Sequence, residues 1–137
     1  MTVGRARAVL SILWIVLTCP LILLISIQTV VGYYGDDWDL PWSWLMSLIF
    51  PTLSLVVAVW TVSTASVMEK PVRSMHVFWG AVTISLFYLI NLYIAVIVPN
   101  YSHFAIEKAL KASAWYLVPL QGLVTVSLGK LFVENIE

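Results

Sequence analysis

Four stretches of this chain carry no ionisable acid or base of the Asp, Glu, Lys or Arg type: residues 8–35, 40–68, 74–106 and 112–129. Every such charge falls in the short segments around them. A helix needs about 20 apolar residues to cross the hydrocarbon core of a bilayer. The first three stretches exceed that. The fourth, 18 residues long, reaches it if Lys130 keeps its stem among acyl chains and its ammonium among headgroups.

A soluble fold is a poor alternative. Of 137 residues 61% are hydrophobic and 10% charged, against roughly 25% charged in soluble domains. A small domain hides only about two thirds of the surface its chain exposes, so the bilayer must take the remainder. In hydrocarbon the backbone has to satisfy its own polar groups, which favours helices. Runs such as Leu21-Ile22-Leu23-Leu24-Ile25 lack the alternation of a barrel strand. The expected fold is therefore an all-α integral membrane protein: a single antiparallel four-helix transmembrane bundle with spans near 8–31, 42–67, 75–98 and 113–133. Arg5 and Arg7 precede an apolar run too long for a secretory signal, so the first span is read as retained.

Lys and Arg in short loops orient such a chain. Arg5, Arg7, Lys70, Arg73 and Lys130 fall on one side, Lys108 and Lys111 on the other. This predicts both termini in the cytoplasm, in the cell (inner) membrane. Trp14, Trp60 and Trp79 are expected at the inner interface. Tyr33, Tyr34, Trp38, Trp42, Trp44, Tyr101, Trp115 and Tyr116 are expected at the outer one. The inner connection Met68–Arg73 reads as a tight turn. In the outer loop between helices 3 and 4, Phe104, Ile106 and Leu110 share a face and Glu107 and Lys111 are an i,i+4 pair. That short amphipathic segment is expected to lie at the surface or to prolong helix 4.

Chemistry is scarce. Asp36, Asp37 and Asp39 form the one acidic cluster in an outer loop, read as a solvated cap over aromatic residues more readily than as a cation site with His103. His76 and His103 fall on opposite faces, so no shared metal centre is expected. Cys19 has no cysteine partner, which removes dithiol chemistry, and it reads as a small core residue. No cofactor, metal or enzymatic function is expected, and zero net charge argues against nucleic acid as a partner. Nor is there an acidic residue in the first span to carry ion-coupled transport.

The spans do hold neutral polarity. Gln28, Asn91 and Gln121 lie roughly 5–12 Å below the outer surface at 1.5 Å per residue, with Asn91 and Gln121 at equal depth and able to pair. Pro20, Pro51 and Pro119 each free a carbonyl one turn earlier. Two readings follow: amides that hold the helices together, or an outward-opening polar pocket. Ser54/Ala58, Thr61/Ala65 and Thr125/Gly129, with Gly122 and Gly129 seven apart, are small residues suited to close helix contact.

The function expected from these features is helix–helix assembly, as a subunit or anchor of a membrane complex or as a homo-oligomer, with membrane lipids as further partners. A homo-oligomeric pore or membrane-perturbing effector lined by Thr61, Ser63, Thr64, Ser66 and Asn91 is one alternative. A binder of lipid or another apolar ligand in the outer leaflet is the other.

Overall fold

The computed structural model describes residues 1–62, 71–72, 74–101 and 105–133, the side chains of 60–62 and 133 excepted. Among these residues the chain forms four α-helices and no strand: α1 (Val3–Val30), α2 (Asp39–Val62), α3 (Met75–Ile97) and α4 (Ile106–Val133). The stretches Val3–Val30, Gly35–Val59 and Met75–Asn100 are each long and apolar enough to cross a membrane. Helix α4 is less uniformly apolar, because Gln121, Gly122, Ser127, Gly129 and Lys130 interrupt it.

Helix ends follow local chemistry. Thr2 caps α1, its hydroxyl accepting from the Arg5 N–H at 3.4 Å, so α1 starts five residues before the expected boundary. At the other end Gly32 adopts φ +77. The Tyr33 N–H then reaches the Gln28 carbonyl, and the Gly32 N–H that of Thr29. This is the Schellman closure, which needs a left-handed residue after the cap. The connection continues through a 3-10 turn at Gly35–Asp37. Asp39 opens α2, where the helix dipole favours a carboxylate. Two of the three outer aspartates thus sit in that turn, and the third is already helical.

The segment expected in the outer loop is part of α4. From Ile106 onward it is continuous helix, with Leu110 buried and Ile106 half-buried. Lys111 donates to Glu107 at 2.5 Å, and Phe104 and His103 lie outside the described residues. The helix extends because burying Leu110 against the core stabilises its first turns. Most of the inner connection also lies outside the described residues. At its end Val72 N–H donates to the Met1 carbonyl at 3.0 Å, and Thr2 and Pro71 form an isolated bridge.

One core draws on all four helices, with Trp14, Leu48, Tyr88, Leu89, Leu117 and Leu128 almost wholly buried. Helix α3 packs most extensively on α4, α4 also on α2, and α1 on both α3 and α2. Helices consecutive in sequence run antiparallel across the outer turns. Side-chain bonds also join α1 with α3 and α2 with α4, and both of these pairs are parallel: 14 bonds to 85 and 17 to 93; 44 bonds to 113 and 47 to 121. At the inner end Arg7, 4% exposed, donates to the Phe132 carbonyl at 2.6 Å and lies 5.9 Å from the centre of its ring. It caps the end of α4, a role for which its sequence position gives no hint.

Candidate functional site

Carbonyls close before Pro20 and Pro51 take side-chain bonds from other helices. Pro51 has no N–H to offer the Ser47 carbonyl, and its ring distorts the adjoining turn. In hydrocarbon such carbonyls need a partner from elsewhere. Gln121 of α4 donates its Nε2 to the Ser47 carbonyl at 3.3 Å. The hydroxyl of Tyr88, from α3, donates to the next carbonyl, Leu48, at 2.8 Å. Near Pro20, Tyr93 of α3 donates to the Leu17 carbonyl at 2.6 Å, which stands three residues before the proline as Leu48 does before Pro51. The carbonyl that Pro20 deprives of its N–H is that of Val16.

Each parallel pair has a second bond of one type. Trp14 Nε1 donates to Ser85 Oγ at 3.2 Å, and Trp44 Nε1 to Ser113 Oγ at 3.1 Å. The spacings correspond. Each tryptophan stands three residues before the accepting carbonyl, and each serine eight residues before the donor that serves it. Trp14 also packs on Tyr88, with ring centres 6.0 Å apart. These two tryptophans, expected among interfacial aromatics, are buried in the core, whereas Trp38, Trp79, Tyr101 and Trp115 are well exposed; the Trp60 side chain is outside the described set.

Several expected placements change. Asn91 and Gln121 do not pair, because Asn91 turns outward and donates to its own Phe87 carbonyl at 2.7 Å. Its neighbours Phe87, Ile90 and Ile94 are all strongly exposed. Pro20, Pro51 and Pro119 are each exposed, so they line no inward pocket. Ring atoms face out while the distorted carbonyls face neighbouring helices. Cys19, beside Pro20, is exposed as well. Gly122 is exposed and Gly129 half-buried, and a Cβ at either would meet nothing within 4 Å. Ser54 and Ala58 are also exposed. Ser54, Ala58 and Gly122 therefore do not draw these four helices together, while Thr125 is half-buried like Gly129 and the Thr61 and Ala65 side chains lie outside the described residues. Of the expected pore lining, Asn91 faces outward, and Ser63, Thr64, Ser66 and the Thr61 side chain lie outside the described residues.

Gln28 holds the outer end. Its Oε1 accepts from the Tyr34 hydroxyl at 2.5 Å, and its Nε2 donates to Asn100 Oδ1 at 3.3 Å. Trp42 donates to Thr29 Oγ1 at 3.0 Å nearby. Burial first, and the neighbouring Tyr33 second, push the Tyr34 phenol up to about 12, so it stays a neutral donor.

Beside this knot lies a cleft of about 170 Å³, lined by Tyr33, Tyr34, Asp37, Pro41, Ile106 and Glu107 among others. The two tyrosine rings meet edge to face, 5.4 Å apart and at 79°. Lys111 donates to Glu107, which holds that carboxyl below its ordinary value. A larger hollow of about 320 Å³ beside Trp115 and Pro119 is lined by α4 alone, so no second element encloses it. Among the described residues no three His, Cys, Asp or Glu side chains converge as metal ligands; Asp36, Asp37 and Asp39 are all exposed. No family model, curated protein or solved structure matches this chain.

Proposed function

We propose that this chain is a non-enzymatic multi-pass protein of the cell (inner) membrane whose work is helix–helix assembly. In this reading all four helices span, as an antiparallel bundle with both termini cytoplasmic. The bundle serves as a subunit or anchor of a membrane complex, or as a homo-oligomer. What supports assembly most is the outward amide of Asn91. Half-buried itself, it sits among the exposed apolar residues Phe87, Ile90 and Ile94, and its Nδ2 donates within its own helix to the Phe87 carbonyl. An amide facing hydrocarbon gains when a second helix supplies its bond, by roughly 0.5–2 kcal/mol. The exposed small residues of α2 and α4 offer further faces where backbones approach closely.

The test is oligomeric size in a mild detergent and in nanodiscs, for the parent chain and for Asn91→Leu. The reading expects a defined assembly, or a stoichiometric second chain, that the substitution shifts toward monomer. A monodisperse monomer in both media, unchanged by Asn91→Leu, would rule it out.

A further inference from the structure

We propose that the outer cleft between the α1–α2 connection and the first turn of α4 binds an alkylammonium group, with Tyr33 and Tyr34 as its walls and Asp37 as its counter-ion. The ligand is the headgroup of a zwitterionic lipid or a soluble quaternary amine. This goes beyond assembly and does not depend on it.

Size comes first. At about 170 Å³ the cleft is smaller than the roughly 300 Å³ at which drug-sized ligand pockets begin, and it suits a compact group. Its chemistry is next. Two aromatic rings set edge to face offer a corner of π-density, which attracts a cation without demanding hydrogen bonds. Two carboxylates reach the cleft, Asp37 and Glu107. Glu107 is engaged with Lys111. Asp37 has no ion pair among the described residues and is exposed to the cleft's mouth. An anionic headgroup would meet like charge there. A divalent cation would find too few oxygens, since calcium takes six to eight. A soft monocation with a methylated or alkylated nitrogen is the class that matches both walls and rim.

The walls are also held in place. The Tyr34 hydroxyl is tied to Gln28, which is tied in turn to Asn100, and Gly32 and Gly35 take positive φ to set the turn. The cleft lies where α1 ends and α2 and α4 begin, the level at which a membrane-spanning chain meets headgroups.

The experiment uses the full chain in uncharged detergent. Tetramethylammonium and choline are titrated by ligand-observed NMR, with 3,3-dimethylbutanol as choline's uncharged isostere. Native mass spectrometry then follows retention from an equal mixture of phosphatidylcholine and phosphatidylglycerol. Saturable binding of both cations is expected, with the alcohol weaker by roughly tenfold or more. Asp37→Asn and Tyr33→Leu should each weaken binding to a similar degree while elution volume stays unchanged. Preferential retention of phosphatidylcholine, displaced by tetramethylammonium, identifies a lipid headgroup as the natural ligand. Cation binding without lipid preference identifies a soluble amine. Equal binding of choline and its isostere by the parent chain overturns the proposal, even if the variants fail to fold. So does unchanged affinity in well-folded variants.

Discussion

The α1/α3 pair and the α2/α4 pair are joined by the same two kinds of bond at the same spacing. Each has a tryptophan donating to serine, and each has a side chain donating to a carbonyl before a proline, three residues before Pro20 and four before Pro51. They differ in depth and tightness. Trp14 is fully buried and packs on Tyr88, whereas Trp44 remains 7% exposed. Tyr93 reaches its carbonyl at 2.6 Å and Gln121 at 3.3 Å. The carbonyl that Pro51 frees is thus answered by a neighbouring helix, over the longer of the two bonds.

The largest effect tests the buried half. Trp14→Ala should cost about 3–5 kcal/mol, combining a core cavity with a lost bond. Trp44→Ala should cost clearly less, as read from thermal unfolding of both in one detergent. Equal losses would erase the asymmetry between the pairs.

The next test concerns the donors. Tyr93→Phe should cost about 1 kcal/mol, and Gln121→Leu roughly half as much, in line with polar contacts between membrane helices. A larger loss from Gln121→Leu would reverse the ranking. The proline itself gives a sharper measurement. Pro51→Ala restores an N–H for the Ser47 carbonyl, so Gln121→Leu should become nearly silent in that background. A double-mutant cycle with no coupling would show that Gln121 does not serve the proline.

The smallest effect lies at the outer end of α4. The Lys111 hydrogen bond lowers the Glu107 carboxyl from 4.5. A group whose folded value is depressed stabilises above its ordinary value and loses that contribution as pH falls through the folded one. Amide exchange at residues 106–111 should therefore speed up on acidification, relative to the intrinsic rate, and exchange around Trp14 should not. A matching change at both places would indicate a global transition.

Much of the fold is legible in the charge-free intervals, because the cost of burying an ion in hydrocarbon is large enough to mark span ends to within a turn or two. Helix α4 is the exception. Its first two turns carry Glu107, Lys108 and Lys111; their i,i+4 spacing left a surface segment and a longer helix both open, and the burial of Leu110 goes with the longer helix. The candidate site was less readable. Asn91 and Gln121 at matched depth gave no guide to their azimuth. Helices that are apolar all round lack the periodic pattern that tells an inward face from an outward one. The same lack hid Trp14 and Trp44 among belt residues.

What the amino-acid order determined alone is where the chain can leave water, since ionised groups cannot follow it there. Which helix stands beside which was decided only in the packed state. The missing N–H at Pro51 is written in the sequence, but Gln121, whose amide answers it at the Ser47 carbonyl, is distant in sequence and becomes a neighbour only on folding.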